Sequence, residues 1–191
     1  SYLHVGPEIG VASTKAFTGQ FTVLFLWALK IAQYKNLLSD EDLQKFLAEL
    51  VKIPEKIKTV LENNEQIMAV VDLLKNSKNC LFLGRGVNFP LAMEGALKLK
   101  EVSYIHAEAI SLGEMKHGSI ALIDENMPVI VIATKSEHYD KTISNIEEIK
   151  ARKGKIIAIV TEGDCEITKR ADYVIEVPET EELLSPIISV I

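Results

Sequence analysis

Cysteine is scarce in this chain of 191 residues: Cys80 and Cys165 stand far apart and form no C-x-x-C pair. That excludes a disulfide framework and a zinc ribbon, and it suits a reducing cytoplasm. Positive charge is also in short supply. With 21 Lys and Arg against 27 Asp and Glu, the net charge is -6, and no local basic cluster offsets it, so a nucleic-acid partner is not expected. The longest strongly apolar run, "FTVLFLWALKIA" at 21–32, contains Lys30. It falls short of the roughly 20 residues a bilayer span needs and reads as a buried helix. There is no signal-peptide pattern, internal repeat or low-complexity tract.

What the chain does have is 48% apolar and 25% charged residues, the balance of a globular protein with one good core plus an appendage. The first third reads as helices. Ser13 or Thr14 can cap a run to about Tyr34, and Ser39 with Asp42 resembles a capping box opening 40–52. Pro54 is expected to interrupt that helix, and Asn63 or Asn64 to cap "NNEQIMAVVDLLKNS", which leads to residue 77. From Cys80 onward short apolar runs alternate with helical patterns: "CLFLG", a helix at 90–104, "YIHAEA", "MPVIVIA", a helix at 138–152, "KIIAIV" and "DYVIEV". Such alternation predicts an α/β fold on a parallel sheet. Gly154 stands where a left-handed glycine would close the 138–152 helix.

Ligands of such sheets bind at the carboxyl ends of the strands. The loop "GRGVNFP" (84–90) carries two glycines, which either let the backbone approach a ligand or make a tight turn, and Pro90 suits the first turn of the next helix. It is no nucleotide loop: Phe89 stands where a dinucleotide fingerprint needs glycine, and no GK[ST] occurs. His106 and Glu108 form an H-x-E without the P-C-x-x-C partner of zinc deaminases. Glu114 and His117 give one E-x-x-H where a di-iron bundle needs two, so no metal is expected. His4 and His138 read as surface residues.

The most informative pattern lies in "EGALKLKEVSYIHAEAISLGEMKH" (94–117). At about 100° per residue, Glu94, Lys98 and Glu101 share an arc of about 60°, while Leu91, Met93, Ala96, Leu97, Leu99 and Val102 fill most of the rest. Two readings stand. The helix is buried on several sides with its charges aimed somewhere enclosed, or the charges form a narrow solvated stripe held by Glu94 and Lys98 at i,i+4.

Three stretches together, "GPEIGVASTKAFT" (6–18), "GRGVNFPLAMEGALKLKEVSYIHAEA" (84–109) and "GEMKHGSIALIDENMPVIVIA" (113–133), resemble a known family along nearly the whole chain. It is the isomerase part of the glucosamine-6-phosphate synthases, the isomerising glutamine:fructose-6-phosphate aminotransferases. The resemblance implies a three-layer αβα sugar isomerase (SIS) domain with a parallel sheet, preceded by a helical segment. Residues 1–35 would be the tail of a first SIS domain, 36–64 a helical linker and 65–191 most of a second. It further implies a cytoplasmic homodimer acting on fructose 6-phosphate and glucosamine 6-phosphate in amino-sugar synthesis, with no cofactor.

On the same resemblance Glu101 moves a proton between C1 and C2 of the sugar, and Lys98 assists at the adjacent oxygen. His117 opens the sugar ring from a neighbouring subunit, and Val11 and Ser13 contact the sugar. The residue types suit the chemistry: a carboxylate takes and returns a carbon-bound proton, a cation holds charge on oxygen, and imidazole exchanges protons near neutrality.

The family's glutamine-hydrolysing domain, its Ser/Thr-rich phosphate loop and its Schiff-base lysine have no counterpart here, and "TKSEHYDKTISN" (134–145) offers hydroxyls without that motif. Starting without Met and ending in "PIISVI", the chain reads as a segment of something longer, inactive as a synthase by itself. The alternatives are a non-catalytic SIS module that binds a sugar phosphate and regulates a partner, and an oligomerisation module whose charged stripe is an ion-pair seam. Without the phosphate loop, the 191-residue chain should bind fructose 6-phosphate or glucosamine 6-phosphate far more weakly than the complete isomerase part. Charge-assisted hydrogen bonds to phosphate are roughly twice as strong as neutral ones. Equal dissociation constants in titration calorimetry would contradict this division of labour.

Overall fold

The computed structural model describes residues 2–191. Three helices lead the chain. The first, α1 (Lys15–Tyr34), is capped neither by Ser13 nor by Thr14 in the expected way but by Glu8. Its carboxylate accepts from the backbone N–H of Thr14 at 2.6 Å and of Ala16 at 3.3 Å, and from the Ser13 hydroxyl at 3.0 Å. A carboxylate folded back from upstream satisfies several of the orphan donors at once. The Thr14 N–H above all holds Glu8 below the usual carboxylate range.

The second helix, α2 (Asp40–Glu62), starts as expected, with Ser39 Oγ accepting from the Asp42 N–H at 3.0 Å. It does not stop at Pro54. The helix runs through the proline and forgoes one i→i−4 bond there, because Ile53 and Val60 on either side are buried in one cluster with Val177, Leu184, Ile187 and Ile188. Tertiary burial outweighs the local cost. After Asn63, α3 (Asn64–Leu74) ends at Leu74 rather than at residue 77, and the Asn63 amide donates to Gln66 Oε1 at 2.8 Å instead of capping.

The remainder alternates as the sequence predicts: β1 (Asn79–Gly84), α4 (Asn88–Ser103), β2 (His106–Ser111), β3 (Pro128–Ala133), α5 (Tyr139–Ala151), β4 (Lys155–Thr161), β5 (Tyr173–Val177) and α6 (Ser185–Ser189). The strands form one parallel sheet in the order β2-β1-β3-β4-β5. Every one of the six residues of central β3 is buried, which is why it reads as an unbroken apolar run. Because successive side chains point to opposite faces, the strands feed two cores. On one face Leu81, Leu83, Val129 and Val131 pack with Ile146 and Ile149 of α5. On the other, Cys80, Phe82, Ile130 and Ile132 pack with Leu91, Ala92 and Ala96 of α4 and Val70 of α3. The result is the expected three-layer αβα arrangement, with helices ahead of it. Burial pushes the Cys80 thiol up to about 12, so this cysteine is inert.

The end of α5 corrects one expectation. The helix closes with Gly154 N–H bonded to Ile149 O at 3.2 Å and Lys153 N–H to Lys150 O at 2.9 Å, yet the left-handed residue is Lys153, with φ 65, not Gly154. Gly154 is there for space: a Cβ on it would lie 2.6 Å from Ile123 Cγ2 and 2.8 Å from Ile149 Cγ2. Gly154→Ala should therefore destabilise by about 1–3 kcal/mol through overpacking. The loss appears as a lower urea midpoint with an unchanged slope; a wild-type midpoint would contradict this account.

Candidate functional site

The position of α4 follows from two glycines. A Cβ on Gly84, the last residue of β1, would run into the backbone oxygen of Asn88, and one on Gly95 would come within 2.7 Å of the Phe82 ring. Without them α4 could not sit so close to β1. Its inner side, Leu91, Ala92 and Ala96, is buried, but Met93, Leu97 and Val102 are exposed. The helix thus buries one face rather than several, since β2 is the edge strand and no described element covers the outer side. Lys100 is exposed, as expected.

The charged stripe lies between the two readings of it. Lys98 Nζ sits 2.6 Å from Glu101 Oε2 and 3.5 Å from Glu94 Oε1, with side-chain exposures of 22% for Lys98, 32% for Glu101 and 16% for Glu94. The hydrogen bond to Glu101 raises the Lys98 pKa above its ordinary value against the opposing effect of desolvation. The result is a cation held between two carboxylates, each partly open to an incoming ligand.

The other expected residues lie apart from this pair. In a β-α-β unit the helix runs back across the sheet, so Glu101, near the end of α4, lies toward the edge where the strands begin. His117 follows β2, whose six residues span about 20 Å, and so lies beyond the opposite ends of the strands. The segment that carries His117 also crosses to the other face, because Leu112, Met115 and Ile123 pack into the α5-side core. His117 itself is exposed on a turn, its N–H bonded to Glu114 O at 2.9 Å. Val11 is exposed, while the Ser13 hydroxyl is committed to Glu8. Among the described residues, no hydrogen bond or ion pair joins Val11, Ser13 or His117 to Lys98 or Glu101.

Two further features escaped the sequence. Asn88 and Thr134 are both buried and bond each other, Asn88 Nδ2 to Thr134 Oγ1 at 3.0 Å and Thr134 Oγ1 to Asn88 Oδ1 at 3.2 Å. Asn88 opens α4 just after β1 and Thr134 directly follows β3, near the carboxyl ends where open α/β sheets ordinarily take ligands, and half-buried His138 lies against Gly86. The glycine loop 84–90 therefore serves a tight turn packed by its own chain. Two open clefts of about 510 and 630 Å³ lie further along, sharing Lys135, Ser136 and Glu179. Neither is lined by Lys98, Glu101 or His117. Among the described residues, no group of three or more His, Cys, Asp or Glu could hold a metal ion, and no helix is long and apolar enough to cross a membrane.

A parallel sheet in this order, with its polar residues on α4, is shared by many α/β proteins. The family model that matches is the SIS domain, over residues 73–191. The chain belongs to the SIS-domain family. It is 55% identical over 191 residues to a glutamine–fructose-6-phosphate aminotransferase [isomerizing] of Bacteroides thetaiotaomicron, and 52% identical over 190 residues to one of Thermus thermophilus. All of this chain is matched, but it spans only 31% and 32% of those relatives. Among solved structures it is similar to the C-terminal domain of glucosamine-fructose-6-phosphate aminotransferase from Francisella tularensis. The TM-score is 0.89 and the identity 41%, over 95% of this chain and 51% of that one. The sugar isomerase domain of an RpiR transcription factor from Sphaerobacter thermophilus, at 14% identity and TM-score 0.59 over 74% of this chain and 84% of that one, shares the fold alone.

The stripe can be tested through stability in this SIS chain. Lys98→Met leaves Glu94 and Glu101 facing each other without a cation, and should lower stability by up to about 1 kcal/mol. Since the folded-state pKa of Lys98 is raised, the stabilisation is complete below the ordinary lysine value of 10.5 and is lost as pH rises through the folded value. The difference between wild type and variant should be level from about pH 7 to pH 9 and shrink in stronger alkali. A difference that widens there would refute the assignment.

Proposed function

We propose that the chain is part of the isomerase region of an enzyme that converts fructose 6-phosphate and ammonia, released from glutamine, into glucosamine 6-phosphate. This would be the first step of amino-sugar (UDP-N-acetylglucosamine) synthesis. The observation that carries the reading is the Lys98–Glu101 pair, 2.6 Å apart on α4 of a SIS domain, in a chain 55% identical over its whole length to a protein named for this activity.

Glu101 takes the proton from one of the two reacting carbons and returns it to the other; carboxylates do this well when held beside the substrate carbon. Lys98, kept cationic by its bond to Glu101, stabilises the charge that builds on the neighbouring oxygen. His117 promotes ring opening. It acts from a second copy of the chain, a role supported by its place at the opposite end of the strands and on the opposite face of the sheet from Glu101, so that a homodimer completes the site. Val11, exposed ahead of α1, and Ser13 contact the sugar. Residues 1–35 belong to a first SIS domain, 36–64 link it to a second, and 65–191 form most of that second domain. Two free thiols accord with a cytoplasmic setting.

In the complete protein, Glu101→Gln should lower turnover by about 10² to 10⁴ while circular dichroism stays unchanged, and exchange of solvent deuterium into the sugar should fall with it. A folded variant that keeps more than about a tenth of wild-type turnover would defeat the base assignment. Mixed dimers of His117→Ala and Glu101→Gln subunits should recover activity that neither parent has.

A further inference from the structure

The helix that carries Lys98 and Glu101 ends on Tyr104, at φ 60 and ψ 10 in the left-handed region. Its N–H donates to Lys100 O at 3.1 Å and so closes the helix. Glycine or asparagine does this without the steric conflict a bulky side chain meets. Burial does not offset that conflict, because Tyr104 is 92% exposed. Among the described residues, no ring pairing includes it. The fold spends strain on an aromatic ring that it does not itself use, the kind of outlier that clusters at ligand sites.

The surroundings give the ring a purpose. At about 100° per residue, Leu97 lies about 40° to one side of Glu101, and Val102 about 40° to the far side of Lys98. Both are exposed. A merely solvated ion pair would be flanked by polar residues, whereas this one has an open apolar rim. Tyr104 stands three residues past Glu101, as the first residue beyond the helix. Charged groups that reach oxygens, bordered by apolar and aromatic surface, match a molecule with hydroxyls on its edges and a C–H face.

We propose that Tyr104 is a binding residue of this site, the surface on which the C–H face of the sugar phosphate packs while Lys98 and Glu101 engage its oxygens. This rests on the sugar-isomerase reading of Lys98 and Glu101. The test uses the complete protein, with Tyr104→Gly, Tyr104→Phe and Glu101→Gln compared for kcat, KM, thermal melting and sedimentation. Tyr104→Gly should melt no lower than wild type, since it relieves the strain. Its KM for fructose 6-phosphate should rise roughly five- to tenfold, with kcat changed less than about twofold. Tyr104→Phe, which keeps the ring, should retain a near wild-type KM.

A wild-type KM in Tyr104→Gly would overturn the proposal. So would a loss of activity that follows dissociation of subunits in sedimentation, which would make Tyr104 an anchor for a partner instead. Should the glycine variant fail to fold, Tyr104→Asn tolerates the same backbone, also removes the ring, and is read by the same change in KM. If Glu101→Gln keeps its turnover, the base reading fails by itself, and the KM of Tyr104→Gly still decides whether the ring binds sugar.

Discussion

Everything about the candidate site depends on how closely α4 lies against β1. The contact is steric before it is energetic: no side chain fits between Gly84 and the backbone of Asn88, nor between Gly95 and the ring of Phe82. Because the helix is pressed onto the strand there, Leu91, Ala92 and Ala96 turn inward and Glu94, Lys98 and Glu101 turn outward. The direction in which the charges point is thus a consequence of two missing methyl groups. The same seating carries Asn88 to Thr134, where their mutual hydrogen bonds satisfy both buried side chains.

The Asn88–Thr134 pair and the open helix face belong together. Open α/β sheets ordinarily take ligands at the carboxyl ends of the strands, and here Asn88, Thr134 and His138 gather beside those of β1 and β3. The Lys98–Glu101 ion pair lies instead on the outer side of α4, toward the other end of the strands. There the ion pair is shielded enough for its partners to hold each other and open enough for a ligand to compete for them. A cation between two carboxylates 2.6 and 3.5 Å away is pre-oriented, so little reorganisation is needed when charge develops nearby.

The sheet's two-sided core keeps His117 apart from Glu101 within one chain. After β2 the backbone crosses to the α5 face, where Leu112, Met115 and Ile123 are buried, and it takes His117 with it. His117 thus follows the carboxyl end of β2 on the α5 side, whereas Glu101 lies near the end of α4 on the other side. The exposed apolar residues beside the stripe, Leu97 and Val102, are consistent with a surface that is covered when the site is in use.

How much of this is legible in the sequence divides along the range of the forces involved. Apolar alternation marks each strand to within about two residues, and the Ser39 cap and the Glu94–Lys98–Glu101 stripe are legible because hydrogen bonds and periodicity within a few residues fix them. The motifs around Lys98 and His117 point to sugar isomerisation through their resemblance to a known family, not through spacing alone. What cannot be read depends on neighbours distant in sequence. The α2 helix runs through Pro54 because α6 buries both sides of it, and Gly154 is there for space because Ile123 packs against it, while Lys153 takes the left-handed turn. Asn88 finds Thr134 only when β1 and β3 pair. The outer face of α4 is open because β2 lies at the edge of the sheet, and His117 is far from Glu101 because the chain changes faces between them. Local propensity sets what each segment becomes, but which surface it shows and which residue it meets are settled only when non-local packing selects one arrangement of the layers.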